Sequence, residues 1–510
     1  QPSAVDSALR ALHARGKLLE GEFRPRGIHQ EWCDPEILQQ IRRKSLARLR
    51  REVEPVEQRT FARFAARWQG VSTRRRGVDA LLDAVENLQG AALLASEVER
   101  EILPARLADY RSSDLDAVMA AGEVAWVGLE QVGDRDGRVA LYLTESVPAL
   151  LPPAELRKEQ VPLSEKAQQI LDVLARLGAS FFGSIHAAIG GGFPGDTRDA
   201  LWELVWAGRM TNDTFYPLRD LLRPHDAKRE RPSAADGPPG SPEFLRRLRS
   251  RKAAGGPAQG RWSLVAAEPL PVTQWSANLA QQLLTRHGIV MRETAAAEDI
   301  PRGYSMVYPA LKTMEESGWV RRGMFVAGMG AAQFAAPSAV DMLRSLRSKP
   351  ANPETLFLAA SDPANPYGAL LPWPRGENTE GEAAHHGMAR TSGSGVVLVN
   401  GALAGFLRRR NPALRVLLPE NEPERTLVSR ELARKLAELA VRRQGRRSGL
   451  FIGEINDAPA REHFLARFLE EAGFVNTTLG FQMRAVMPVV PKRDAENISD
   501  ETEQDLSESA

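Results

Sequence analysis

The sequence predicts an α+β chain of tandem winged-helix modules followed by a small β-barrel-like domain. Three observations predict it: a fourfold helix-to-hairpin repeat, two copies of that repeat that match through the hairpin, and a change to short strands after residue 354.

The repeat is apolar, two residues, apolar, three residues, Gly, one residue, apolar. It occurs as Leu9, Leu12, Gly16, Leu18 and as Leu115, Val118, Gly122, Val124. It returns as Leu201, Leu204, Gly208, Met210 and as Leu311, Met314, Gly318, Val320. The i, i+3 spacing puts two side chains on one helical face, and the glycine supplies the left-handed position that ends the helix. The apolar residue two places later starts a strand. A winged-helix module ends in this way, with the helix as its recognition element.

The hairpins agree. Glu123-Val124-Ala125-Trp126-Val127 and Arg138 to Leu143 flank a turn from Gly133 to Gly137, which reads as a wing. In the first and fourth copies, Gly21, Phe23, Trp32 and Pro35 correspond without a gap to Gly323, Phe325, Phe334 and Pro337. Each is followed by a helix, over 35–51 and 337–347. One helix ending in Gly before a strand is a common accident; four at one spacing, two of them in register, are duplication.

A chain of 510 residues exceeds one core, and copies 86 to 110 residues apart suit one small domain each. The first copy has only its last helix and hairpin, so 1–54 reads as the C-terminal part of a truncated module. The second module spans 55–152, with helices Val56 to Trp68 and Gly77 to Leu88. The third spans 160–268, starts at Ser164 and Glu165 as a helix cap, and carries a Pro/Gly/Ser-rich insertion at about 224–260. The fourth spans 272–350. Short strands and the Asn400-Gly401 hairpin signal then fill 354–490, interrupted by one basic helix, Ser429 to Arg443, and read as the β-barrel-like domain. Residues 491–510 read as an acidic disordered tail.

Composition excludes several classes. The single cysteine, Cys33, allows no internal disulfide and no cysteine-rich zinc site, as in a reducing cytoplasm. No apolar run approaches the ~20 residues of a membrane span. The net charge of +2 makes no polycation, but arginines cluster. Gly190 to Gly192 before Asp196 and Thr197 lacks the lysine and the feeding strand of a phosphate loop, so it reads as a connection, and no ATP hydrolysis is expected. His385-His386 has no neighbouring ligands, so no metal site is expected.

Two arginine groups are candidate phosphate contacts: Arg74, Arg75 and Arg76 between helices, and Arg321 and Arg322 at a wing start. Exposed arginines are also common on any surface. The loop Asp362 to Gly368 is the leading polar candidate. Its Asp362, Asn365 and Tyr367 offer a carboxylate, an amide and a stackable ring, which base excision or nucleic-acid contact would need. Asp-Pro and Asn-Pro also form ordinary turns. Asp494, beyond the last strand, is a second carboxylate that could fold over the same groove. Trp202 and Trp206, at i and i+4, read as packing residues.

The segments Glu31-Trp32-Cys33-Asp34-Pro35, Trp68-Gln69-Gly70-Val71, Leu103-Pro104-Ala105-Arg106, Ala200 to Gly208, Thr211-Asn212-Asp213-Thr214 and Asp362 to Gly368 carry a resemblance. Together they resemble the C-terminal region of the bacterial large helicase-related (Lhr) family, over nearly the whole chain from Gly16 to about Arg484. The resemblance implies a DNA-binding and oligomerisation region of a DNA-repair helicase, with DNA and self as partners and a tetramer as one assembly. It implies ATP and Mg only for a motor elsewhere, and no cofactor here. It also extends to winged-helix DNA glycosylases of the AlkZ type, which implies excision of uracil or another damaged base as the alternative activity. Those enzymes use a Gln-x-Gln motif, and no such triplet occurs in this chain.

Overall fold

The computed structural model describes residues 2–23, 31–41, 44, 54–156, 162–223, 259–265, 270–330, 332–374, 387–409, 411–442 and 449–483. Most of the 224–260 insertion, His385 and His386, Asp494 and the tail lie outside the described residues. The chain divides into two units, 1–409 and 410–510.

All four repeat glycines end their helices by one hydrogen-bond pattern. The Gly N–H donates three residues back: Gly16 to His13, Gly122 to Met119, Gly208 to Val205 and Gly318 to Glu315, at 2.8–2.9 Å. The next N–H donates to the second apolar residue of the repeat: Lys17 to Leu12, Glu123 to Val118, Arg209 to Leu204 and Trp319 to Met314, at 2.8–3.0 Å. This double bond is the Schellman motif, and it needs the left-handed backbone that these glycines adopt, with φ of 68°, 80°, 65° and 79°.

The first copy is α1 (Pro2–Ala14), β1 (Leu19–Gly21) and β2 (Glu31–Cys33). The second module contains α2 (Gln58–Trp68), α3 (Val78–Leu88), β3 (Leu93–Leu94), α4 (Ser112–Ala120), β4 (Val124–Val132) and β5 (Asp136–Leu143). The third contains α5 (Glu165–Leu177), β6 (Ser180–Phe181), α6 (Phe182–Ala188), α7 (Pro194–Trp206), β7 (Met210–Asn212) and β8 (Arg261–Leu264). Ser164 caps α5 by accepting from the Ala167 N–H at 3.2 Å. The fourth contains α8 (Val272–His287), β9 (Ile289–Val290), α9 (Arg292–Ala297), α10 (Tyr304–Glu316), β10 (Arg321–Gly323), β11 (Gln333–Ala335) and α11 (Pro337–Ser345). In modules two to four the hairpin is completed by the short early strand, giving three sheets ordered β3-β5-β4, β6-β8-β7 and β10-β11-β9.

The duplication between first and fourth copies persists in side-chain detail. Leu19 faces Cys33 and Arg321 faces Ala335, the same offset in both hairpins. In each, the residue opening the second strand accepts from the backbone two places beyond the first: Glu31 from Phe23 N–H at 3.1 Å, Gln333 from Phe325 N–H at 2.7 Å.

Modules two and three share one continuous core, from Leu81 and Trp126 through Leu174 and Leu204 to Trp262, whereas the fourth packs its own around Leu283, Val307 and Phe334. The wing β4–β5 lies against α7, and two glycines permit this approach. A Cβ at Gly128 would strike the Val205 carbonyl, and one at Gly137 would strike the Trp206 ring.

Beyond residue 354 the short strands form sheets, and no closed barrel is found among the described residues. The strands β12 (Thr355–Ala359), β13 (Ser394–Val399) and β14 (Ala402–Arg408) make an antiparallel meander within the 1–409 unit. Asn400 and Gly401 both have positive φ, as the hairpin signal required. The loop after β12 is tied to module two by buried polar bonds between Asp362 and Arg106. The 410–510 unit holds β15 (Ala413–Val416), α12 (Glu424–Arg442), β16 (Leu450–Ile452), β17 (Glu454–Ile455), β18 (Ala458–Pro459), α13 (Ala466–Glu471), β19 (Val475–Thr477) and β20 (Gly480–Met483). Its β15 runs parallel to β17, and β16, β20 and β19 form a separate sheet. Among the described residues no sheet closes on itself. No helix among them is long and apolar enough to cross a membrane.

Candidate functional site

Within the first unit, modules two, three and four and the 361–370 loop surround a cavity of about 1700 Å³. One wall is α7. Trp202 and Trp206, one turn apart, stack at 5.5 Å and 19°, and Trp202 meets Trp262 edge-on at 6.1 Å. The pair packs the modules together, as its spacing suggested, and it also lines the cavity.

The opposite chemistry comes from the end of α8. Arg286 and His287 occupy its last turn, where the helix dipole favours cations. Both grip Glu298, just past α9: His287 Nε2 lies 2.6 Å from one carboxylate oxygen and Arg286 donates to the other. Burial works to raise the Glu298 carboxyl, but the Arg286 charge and the His287 hydrogen bond outweigh it and hold the group at about 2. All three residues line the cavity.

The loop wall contains the residues singled out in the sequence, in a different role. Asp362 is fully buried. Its two oxygens accept from Arg106 at 2.8 and 2.9 Å, and one also takes the Ala364 N–H at 2.8 Å. Arg106 in turn donates to Gln69 at 2.6 Å and to the Ile102 carbonyl at 2.9 Å. Such a bidentate, desolvated pair is a tie between module two and the meander. It leaves no Asp362 carboxylate facing the cavity for base-excision chemistry. From this loop Ser361, Pro363, Asn365 and Gly368 reach the cavity.

Asn365 is likewise buried, its amide donating to the Ala360 and Tyr367 carbonyls and accepting from the Tyr367 N–H. The Tyr367 ring is buried, its hydroxyl donates to the Gly401 carbonyl at 2.8 Å, and burial pushes its pKa up to about 12. It presents no free face on which a base could stack, and the turn alternative accounts for all three residues. Arg390 clamps this loop by donating to the carbonyls of Ser361, Asp362, Asn365 and Tyr367. Burial pulls its guanidinium down to about 10, against the upward pull of Asp362 and Glu298.

The arginine groups stand apart from the cavity lining. Arg74 and Arg76 are exposed, and Arg75 pairs with Asp83 while its backbone bridges to Arg106 and Ala108. Arg321 and Arg322 are exposed on β10, with Arg322 5.8 Å from the Phe334 ring centre. Beside them Trp319 is 72% exposed. Asp494 lies outside the described residues. Among the described residues no group of acidic, histidine and cysteine side chains is arranged to hold a metal.

Sequence reasoning missed Arg286, His287, Glu298 and Arg390. They sit on three separate segments with no motif spacing, and only packing of module four against the loop brings them to one cavity. Arg286-His287 before a Gly stop was a legible helix end, but nothing in it indicated a carboxylate partner eleven residues on.

Comparison with known proteins fits this architecture. Residues 56–144 and 270–355 match two domain families, each described as large helicase-related protein, winged-helix domain. A protein of Mycolicibacterium smegmatis named "Lhr helicase/ probable uracil glycosylase" is 36% identical over 501 residues, covering 94% of this chain and 32% of the relative. An Escherichia coli protein named "Lhr helicase/uracil glycosylase" is 34% identical, covering 93% of this chain and 31% of the relative. The chain thus spans about a third of the length of the curated relatives it matches. Among solved structures, Streptomyces sahachiroi DNA glycosylase AlkZ aligns with a TM-score of 0.45 and 13% identity, over 76% of this chain and 96% of that one. With both winged-helix domain matches falling on modules defined by the repeat, the chain belongs to the large helicase-related family.

Proposed function

We propose that this region anchors a bacterial, cytoplasmic DNA-repair helicase on DNA and carries its self-association. The observation that supports this reading is the set of exposed arginines on repeated winged-helix modules: Arg74 and Arg76 between helices, Arg321 and Arg322 at the start of a wing. Contacts to phosphates release counterions, so affinity should fall steeply with salt and vary little with sequence. Alanine at Arg74 and Arg76 should weaken all DNA sequences alike and reduce the salt slope by about one per lost contact. An affinity that stays constant across salt concentrations would refute the reading. The relatives' printed helicase names agree with it. ATP and magnesium would serve a motor elsewhere in such a protein, and no cofactor is assigned here. Self-association, with a tetramer as one assembly, is tested by light scattering: a monomer at micromolar concentration counts against it.

The second reading is base excision within the 1700 Å³ cavity, favoured by its size and by the uracil glycosylase names of the relatives. Ordinary ligand pockets are roughly 300–1,000 Å³, so the space admits an extruded nucleotide. Incubation with uracil-containing duplex followed by alkali tests it: strand breaks at uracil support excision, and intact strands remove it.

A further inference from the structure

The Arg286–Glu298–His287 group is more elaborate than a tie between α8 and α9 requires. Glu298 takes Arg286 on one oxygen and His287 on the other, so its carboxylate fixes both side chains. His287 spends Nε2 on the other oxygen, which fixes the ring's orientation. Its Nδ1 makes no hydrogen bond to any described residue, although the side chain is nearly buried and lines the cavity. On the same wall, Arg286 Nε is buried without an acceptor. Buried polar groups normally find partners, so a buried orphan nitrogen on Arg286 beside the unspent ring nitrogen of a cavity-lining histidine points to a ligand.

We propose that His287, oriented by Glu298 and Arg286, is the polar anchor for the amide edge of a nucleobase extruded into the cavity. This rests on the reading that the cavity takes an extruded nucleotide. The imidazole sets the edge chemistry. With Nε2–H donating to Glu298, a neutral ring offers Nδ1 as an acceptor, and a protonated ring offers it as a donor. A base edge holding an N–H beside a carbonyl, as in uracil, satisfies Nδ1 in either state. The esterified sugar and the phosphodiester of a strand have no N–H or O–H to give and satisfy only the protonated one. Glu298 is a positioning residue, holding the ring without touching the base.

The experiment uses the full chain and a duplex carrying one uracil, with the same duplex carrying an abasic tetrahydrofuran site at that position as control. Wild-type protein and the variants His287→Phe and Glu298→Gln are compared for binding to both duplexes and for alkali-sensitive breaks at uracil. Expected is at least a tenfold loss of the uracil-specific signal in His287→Phe, with affinity for the control duplex unchanged. For Glu298→Gln a smaller loss is expected, read as weaker uracil preference with the maximal rate less affected. A folded His287→Phe protein that keeps the full uracil signal overturns the proposal while leaving the cavity reading intact. Wild-type protein with no uracil preference and no breaks overturns the cavity reading, and the proposal with it. If His287→Phe fails to fold, free uracil titrated into wild-type protein decides. Histidine ring NMR signals, eight in the chain, should include one that shifts with uracil and not with deoxyribose 5-phosphate. No shifting signal, in protein that acts on the uracil duplex, overturns the anchor.

Discussion

Modules three and four are built from the same helix, glycine and hairpin, yet put them to opposite uses. In module three the helix α7 is turned inward: Val205 and Trp206 press on the glycines of the neighbouring wing, and Trp202 and Trp206 line a cavity. In module four the helix α10 ends at a glycine of the same geometry, but the residues after it point outward: Trp319, Arg321 and Arg322 are exposed. The repeat therefore fixes how a helix stops and a hairpin starts. It does not fix whether that end meets solvent or another module, which depends on whether a neighbour has the glycines to receive it.

The largest effect expected is at the tie that holds the meander to module two. Arg106→Ala leaves Asp362 buried and unpaired, and should cost about 3–5 kcal/mol of stability by denaturant titration. Asp362→Asn should also destabilise; a variant of unchanged stability that loses an activity would instead return Asp362 to a catalytic role.

The inward and outward helix ends are compared directly by two truncations. Trp206→Ala should cost about 3 kcal/mol, the lower end for a truncated tryptophan that is only half buried. Trp319→Ala should change stability by less than about 0.5 kcal/mol. Equal costs in thermal unfolding would break the comparison.

A smaller effect distinguishes the wing from the helix stop. Gly137→Ala should cost about 1–3 kcal/mol by overpacking against Trp206. Gly318→Ala, where no atom crowds the added methyl, should cost about 1 kcal/mol through its positive φ alone.

Acid should expose the Glu298 network. Its folded pKa of about 2 lies below the ordinary 4.5, so the carboxylate stabilises the fold above that ordinary value, and the contribution is lost as pH falls toward 2. Melting temperature should fall over this window in wild type, and less steeply in Glu298→Gln. The smallest stability change is expected for Arg321→Ala with Arg322→Ala, within about 0.5 kcal/mol, while DNA affinity falls.

Much of the architecture was legible in the residues because it is local. The Schellman glycines, the Ser164 cap, the Asn400-Gly401 turn and the matched hairpins of the first and fourth copies all depend on neighbours close in the chain. The barrel-like domain expected over 354–490 was less legible, and no closed barrel is found there among the described residues. Alternating strands show that a sheet forms, but not where its edges go, and Arg106, reached across 256 residues, holds the first three strands to module two. The sequence singled out the loop from Asp362 to Gly368, but could not show that Asp362 meets Arg106 and Tyr367 meets Gly401 while Asn365 also lines the cavity.

The sequence by itself thus determined the helix ends and hairpin turns, set by backbone preferences of glycine and by short apolar periodicities. Only the tertiary structure decided which polar groups are spent and which are left over. A carboxylate in a Pro-fixed loop can be an internal tie or a cavity group with no change in its own sequence, because burial and partner charge come from distant segments. Asp362 found Arg106 and became structural. His287 found Glu298 with one nitrogen and kept the other.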